Sequence, residues 1–225
     1  MFQAIYDSGW HHPGICWGAG LVVLALLARR LMSARGGGFA LKALLVFQLA
    51  IMVDALFTGA LTPLDPKSGL STTLAIVFVV LGDMRFFVLF ERYRVEAPER
   101  NRWRPLQLVR ILALSLLIPV GSLPARWLWP GNGRALFLTY ELMFAALALL
   151  FALWMVPKVK DDTARGWLRK LSWFEVVQYL AWASADILIL SGVEEGLLFR
   201  LVPNTIYYAL FVPFALLSMP ERDDW

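Results

Sequence analysis

The chain has 225 residues, of which 59% are hydrophobic, and it carries a formal net charge of +4. This composition leaves no room for a separate soluble domain, and the positive excess is typical of loops beside an anionic membrane surface, which argues against nucleic-acid binding. Cys16 is the single cysteine and the two histidines, His11 and His12, precede the first apolar stretch, so we expect no disulfide, no metal site and no cofactor.

Long apolar stretches follow one another along the chain and predict seven membrane-spanning helices. Each is close to the ~20 residues that cross ~30 Å of hydrocarbon at ~1.5 Å per residue. The predicted spans are Gly14–Met32, Phe39–Leu61, Leu70–Phe90, Leu106–Leu123, Ala135–Val156, Leu171–Gly192 and Leu201–Met219. Continuous runs of this length are not those of barrel strands, which alternate. We therefore expect an all-α, polytopic integral membrane protein, with residues 1–225 forming one seven-helix transmembrane domain.

Basic residues between the spans predict the orientation of the helices. Fourteen lie on one side: Arg29, Arg30, Arg35, Arg92, Arg94, Arg100, Arg102, Arg104, Lys158, Lys160, Arg165, Arg169, Lys170 and Arg222. Four lie on the other side: Lys67, Arg126, Arg134 and Arg200. Since short cytoplasmic loops carry the excess of Lys and Arg, we expect the N-terminus outside and the C-terminus in the cytoplasm. The predicted location is a bacterial cytoplasmic (inner) membrane.

Three predicted spans carry an acidic residue at a similar depth. Asp54, Glu141 and Asp186 each lie about six residues, or ~9 Å, from the outer end of their span. Tyr208 falls at a similar level in the seventh span. Because a charge in hydrocarbon costs at least ~2.5–3.5 kcal/mol, these groups predict a shared, outward-opening polar cavity.

Helical spacing indicates that these acids face the interior of the helix bundle. In the sixth span Glu175, Tyr179, Trp182 and Asp186 follow one another at four, three and four residues, so they form one stripe. Small residues share the face of Glu141 and predict close approach of another helix: Ala145, Ala148 and Ala152. An alternative is that each carboxylate makes a structural ion pair with one of three arginines: Arg126, Arg134 or Arg200.

The third predicted span carries an acid and a base two residues apart, Asp83 and Arg85. This spacing turns the two side chains away from each other, so each is expected to find its partner on a neighbouring helix. Arg110, near the inner start of the fourth span, is a candidate partner for Asp83. We expect Asp83 and Arg85 to form either an inner gate or proton site, or a buried tie that fixes helix order.

Two short patches resemble a known family of membrane hydrolases. Gly82-Asp83, and Ser184-Ala185-Asp186 about a hundred residues later, are similar to the paired acids of the lysoplasmalogenase family. The family's Lys-Pro pair is replaced here by Lys42-Ala43. The resemblance implies a multi-pass enzyme in which Asp83 and Asp186 act on a lipid-like substrate.

The seven-helix layout also resembles small sugar carriers built as three helices, a linker helix and three more. A weak internal repeat agrees with that layout: Gln48, Asp54 and Gly59 in the second span against Gln178, Asp186 and Gly192 in the sixth. The spacings within the two halves differ.

Three functions follow from these patterns. The favoured one is a transporter or ion-coupled permease whose substrate- or ion-binding residues are Asp54, Glu141, Asp186, Tyr208, Asp83 and Arg85. The alternatives are an intramembrane enzyme acting on a lipid-like substrate and a non-catalytic subunit or scaffold of a membrane complex, and we favour a protein that is not an enzyme. The expected partners are the lipid bilayer, a small molecule or cation, and a second membrane protein, with no nucleic acid.

Overall fold

The computed structural model describes residues 2–7, 16–33, 38–58, 62–65, 68–96, 100 and 102–220. Over these residues the secondary structure is helical and contains no strand, which confirms the all-α expectation. In the same part of the chain, seven helices are long and apolar enough to cross a membrane. The orientation of those helices stays a prediction.

The helices are, in chain order, α1 (Phe2–Asp7), α2 (Cys16–Ser33), α3 (Phe39–Thr58), α4 (Gly69–Tyr93), α5 (Pro105–Ser122), α6 (Ala125–Leu128), α7 (Gly133–Leu150), α8 (Asp162–Leu190), α9 (Gly196–Phe199), α10 (Leu201–Thr205) and α11 (Phe211–Ser218). A π-helical segment (Phe151–Met155) and a 3-10 turn (Val156–Lys158) extend α7. A second π-helical segment (Ile206–Leu210) joins α10 to α11.

The predicted spans match these helices closely except at the start of the sixth. That span is predicted from Leu171, whereas α8 begins at Asp162. The cause is a first turn capped by the side chain of Asp161, which accepts hydrogen bonds from the amides of Thr163 and Ala164. The basic residues between 162 and 170 lower the hydropathy of this stretch, so hydropathy alone does not predict that it is helical. Several positions named from the sequence lie outside the described residues: His11, His12, Gly14, Arg35, Gly59, Leu61, Lys67 and Arg222.

The chain divides into two compact units. Unit A is Met1–Gln3 with Asp83–Pro203, and unit B is Ala4–Gly82 with Asn204–Trp225. The boundaries fall inside α1, α4 and α10, so each of these helices contributes residues to both units.

Unit A is built on the pairing of α7 with α8, and α5 packs on α7. The small-residue face predicted on α7 is buried in this packing, since Ala145, Ala148 and Ala152 are each no more than 5% exposed. Aromatic rings fill the space beside it, with Phe90 of α4 packed 4.5 Å, centroid to centroid, from Phe151. The seam is therefore used within the unit and is not a free docking face.

Unit B contains α2 packed on α3, the π-helical segment of 206–210 against α2, and α11 against α3. Two glycines allow close approach. A Cβ at Gly20 would lie 3.0 Å from both Gln48 Nε2 and Met52 Sδ, and a Cβ at Gly82 would collide with the hydroxyl of Tyr207.

Both π-helical segments lie just before a proline, at Pro157 and at Pro213. Proline has no amide hydrogen and its ring clashes with the carbonyl four residues earlier, so a regular α-turn is disfavoured there. A wider π turn relieves the clash, and such turns occur often at functional positions.

Candidate functional site

Arg200 joins two acidic side chains from different helices of unit A. Its Nη1 donates to Glu141 Oε1 of α7 at 3.3 Å and also to Asp186 Oδ1 of α8. Arg134, at the start of α7, donates to the same Asp186 oxygen at 3.3 Å. We call these four residues the arginine cluster. The structure therefore brings together two of the acids that the sequence predicts at equal depth.

The local backbone explains how Arg200 reaches Asp186. After α8 the chain reverses at Gly192, whose φ of +80° favours glycine. The short helix α9 then lies against α8, with Gly196 so close that a Cβ there would be 2.9 Å from Leu188 Cβ and 3.0 Å from the carbonyl oxygen of Ala185. This contact places Arg200, which follows α9, over the end of α8.

Burial makes the charge balance of the arginine cluster important. Glu141 is 2% exposed, Asp186 is fully buried, and Arg200 is 9% exposed. Two acids and two arginines give the cluster no formal net charge when all are ionised. Glu141 Oε2 and Asp186 Oδ2 are nevertheless buried oxygens without a hydrogen-bond partner in the described structure. The cluster thus retains acceptor capacity beside fixed positive charge.

A second polar group surrounds Asp83 of α4. Its Oδ1 accepts a hydrogen bond of 2.7 Å from the hydroxyl of Tyr179 in α8, and its Oδ2 accepts one from the hydroxyl of Tyr140 in α7. The ring of Phe144 stacks on that of Tyr179 at 4.0 Å and 22°, which fixes the tyrosine in place. Asp83 therefore finds its partners on neighbouring helices, as its spacing from Arg85 predicts.

Charged and polar side chains complete this second group, which we call the tyrosine cluster. Glu175 of α8 is 3% exposed and interacts electrostatically with Asp83 and with Arg85, itself 3% exposed. Gln178, on the same helix, is fully buried, and neither its amide oxygen nor its amide nitrogen has a hydrogen-bond partner in the described structure.

Arg110, the expected partner of Asp83, is placed elsewhere. Its Nη1 lies 4.0 Å from Glu91 Oε2. The carboxylate of Asp83 accepts hydrogen bonds from two tyrosines, where the sequence predicts a basic partner. A phenol hydroxyl neutralises no charge, yet it hydrogen-bonds a carboxylate at little desolvation cost, and hydropathy patterns do not distinguish such a tyrosine from a core aromatic residue.

Asp54 and Tyr208 belong to unit B. Asp54 is 6% exposed and interacts electrostatically with Cys16, while the ring of Tyr208 lies 4.8 Å from that of Tyr207 at an edge-to-face angle of 82°. A single cavity shared by these two residues with Glu141 and Asp186 stays a prediction.

The hydrolase interpretation needs Asp83 and Asp186 to act on one substrate. Their hydrogen bonds go to separate partners: tyrosines for Asp83, arginines for Asp186. Tyr179, which binds Asp83, precedes Asp186 by seven residues, or ~10 Å along α8. Within the described residues no group of three or more His, Cys, Asp or Glu side chains is arranged to hold a metal ion.

Comparison with known proteins adds no family to these observations. No family model, no curated protein and no solved structure matches the chain. The resemblances seen in the sequence therefore rest on their short motifs alone.

The sequence predicts ion pairs between the carboxylates at similar depth and Arg126, Arg134 or Arg200, and both Arg134 and Arg200 make such pairs. Two other contributors are not predicted. Tyr140 is not singled out although it directly precedes Glu141. Gln178 was noted only within the weak repeat. The sequence feature that indicates the tyrosine cluster is the stripe on α8, where Tyr179 lies between the two acids, Glu175 and Asp186.

Proposed function

We propose that this protein is a small transporter or ion-coupled permease of a bacterial cytoplasmic membrane, in which the arginine cluster binds the transported solute. The observation that carries the proposal is a pair of buried carboxylate oxygens without a hydrogen-bond partner in the described structure, Glu141 Oε2 and Asp186 Oδ2. The other oxygen of each carboxylate accepts from Arg200, which brings the two carboxylates together. Purely structural ion pairs ordinarily use such acceptor capacity within the protein.

The chemistry of the spare atoms indicates the class of solute. Both are acceptors, so they suit a small molecule that carries hydrogen-bond donors, such as an amine. The arginines beside them suit a carboxylate on the same molecule. A compact zwitterion or a polar amine fits this combination better than a purely apolar or an anionic solute.

Arg134 supports an access route to the cluster. Its side chain is 27% exposed, whereas that of Asp186, to which it is bonded, is completely buried. A solute can exchange with this guanidinium at the protein surface before it reaches the buried carboxylates. A partly exposed arginine is better suited to this role than Arg200, which is buried.

The test begins with the detergent-solubilised full chain and a panel of small amines, amino acids and sugars, scored by the rise in melting temperature. Compounds that stabilise the protein are then followed as radiolabelled solutes in proteoliposomes. We expect Glu141→Gln and Asp186→Asn to lower uptake by about tenfold or more, because each removes a charge-assisted hydrogen bond.

Asp162→Asn is the matched control, since Asp162 is an acid of α8 whose side chain is 83% exposed. It should take up solute at the wild-type rate. Uptake by the wild-type protein that never exceeds that of protein-free vesicles for any panel member, or wild-type uptake in both buried-acid variants, would rule the proposal out.

A further inference from the structure

The tyrosine cluster has no role in solute binding as proposed above, yet it buries two acids in a membrane-spanning unit. Asp83 and Glu175 carry two negative charges when ionised, and Arg85 supplies one positive charge to both. The named groups therefore keep one uncompensated negative charge in a buried position. Uncompensated buried charge is costly, and binding one monovalent cation or proton removes it.

We propose that Asp83 and Glu175 form the coupling-ion site of the transporter and that the ion is a single proton shared between the two carboxylates. This inference rests on the proposed function. In each cycle one proton adds to a carboxylate oxygen and later leaves the same oxygen, and no other bond is made or broken. The titratable and charged groups that interact with the acids are Tyr140 of α7, Tyr179 of α8 and Arg85 of α4.

The geometry at Asp83 favours a proton over a metal cation. Both of its oxygens already accept hydrogens from tyrosine hydroxyls, so the positive ends of two O–H dipoles point at the carboxylate. A metal ion at these oxygens would meet those hydrogens and the charge of Arg85. A proton avoids this conflict, because a hydroxyl is both donor and acceptor and can rotate to accept from a protonated Asp83.

Gln178 provides an independent indication of a ligand position. It lies three residues after Glu175 and one before Tyr179, so the three side chains fall within a ~100° arc of α8. Its amide is fully buried with neither atom bonded in the described structure. Buried amides ordinarily have partners, so a donor and an acceptor are left unused on α8, three residues from Glu175.

The two clusters share their helices, which gives a physical basis for coupling. Tyr140 and Glu141 are consecutive residues of α7, and the first bonds Asp83 while the second bonds Arg200. On α8, Tyr179 and Asp186 lie on one face. A small rotation or shift of α7 that weakens one set of bonds therefore changes the other, so that proton and solute occupancy are linked.

The proposal is tested without any solute, by infrared difference spectra of the full chain in phosphatidylcholine–phosphatidylglycerol vesicles during pH steps. We expect the wild type to show the carbonyl-stretch band of a protonated carboxylic acid that titrates by about one proton per chain. Asp83→Asn and Glu175→Gln should each lose that band. Asp162→Asn should keep it, and replacing choline chloride by sodium chloride should leave it unchanged.

Tyr179→Phe serves as the second variant, because it keeps both acids and removes one donor from Asp83; it should move the midpoint of the band. A band that survives in both acid variants, a midpoint that Tyr179→Phe leaves unmoved, or displacement of the band by sodium would overturn the proton assignment. Since no solute is present, a failure of uptake in the transport experiment would not alter these spectra, and the two proposals can fail separately.

Discussion

The arginine cluster and the tyrosine cluster both draw side chains from α7 and α8, yet they balance the acidic charge differently. Glu141 and Asp186 face two arginines, so their charges can cancel within the cluster. Asp83 is held by neutral hydroxyls and shares a single arginine with Glu175. The first cluster is therefore formally neutral when all its groups are ionised, and the second keeps one negative charge.

This difference shows why the residue that accompanies a buried acid matters as much as the acid itself. Guanidinium groups keep their charge at any working pH and offset the charge of an ionised carboxylate. Tyrosine hydroxyls can serve either protonation state because they both donate and accept. Two acids of one helix, Glu175 and Asp186, lie eleven residues or ~16 Å apart and can thereby serve the two separate tasks proposed above.

The largest effect is expected at Arg200. Arg200→Met leaves Glu141 and Asp186 buried without their shared base, and removing one partner of a buried ion pair costs about 3–5 kcal/mol of unfolding free energy. We expect the upper end of that range, measured by titration with a denaturing detergent in mixed micelles. The control Arg165→Met, which breaks the partly exposed pair with Asp162, should cost less than about 1 kcal/mol.

A rescue variant sharpens the same measurement. Adding Glu141→Gln and Asp186→Asn to Arg200→Met removes the orphaned charges, so most of the lost stability should return. If Arg200→Met is as stable as the wild type, or if the triple variant is less stable than the single one, the claim that Arg200 compensates both acids is wrong.

An intermediate effect is expected when the two aspartates are compared directly. Asp186→Asn leaves Arg200 partly uncompensated and should cost about 3 kcal/mol. Asp83→Asn should cost less than about 1 kcal/mol, because an amide still accepts from one tyrosine hydroxyl and donates to the other while losing a buried charge. The same detergent titration measures both, and equal costs would remove the distinction between the clusters.

The smallest effect concerns an exposed ion pair outside the spans. Lys160 Nζ donates to Glu96 Oε1 at 2.8 Å, and this hydrogen bond and the charge of Lys160 lower the pKa of Glu96. Because the folded-state pKa lies below the unfolded one, the contribution is present above the unfolded pKa and is lost as the pH falls through the folded pKa.

We therefore expect a slight fall in melting temperature of the wild type on acidification below about pH 4, which Glu96→Gln reduces. Added salt should weaken this exposed pair in the same way, since exposed charges are screened. The contribution of Arg200, measured as the difference between wild type and Arg200→Met, should hardly change with salt. A strong salt dependence of that difference would mean that the arginine cluster is open to solvent.

Much of the fold was predictable because a membrane span is recognised from the length and the apolar composition of a stretch of sequence. Seven apolar stretches are long enough to cross a bilayer, and seven such helices occur in the described residues. The start of α8 was not predictable in this way, because its first turns at 162–170 carry basic side chains on one face and bury Ala164, Trp167 and Leu168 on the other. Hydropathy averaged over a window combines the two faces, so it does not reveal this part of the helix.

The candidate site was predictable only in part. Equal depth correctly suggested that Glu141 and Asp186 could meet, since depth along a helix follows from residue number. The bridging role of Arg200 depends on the chain reversal after α8, and the tyrosines at Asp83 depend on which faces of α4, α7 and α8 meet. Neither is encoded in the local pattern of hydropathy or charge.

The close contact at Gly196 means that the electrostatics of unit A depend on a residue that carries no charge. Any side chain there would force α9 away from α8, and Arg200 would move with it. The two carboxylates would then lose the base that they share, although no charged residue had been substituted. A related protein that kept both acids and the arginine, but replaced this glycine, would keep the charged residues of the site and lose their geometry.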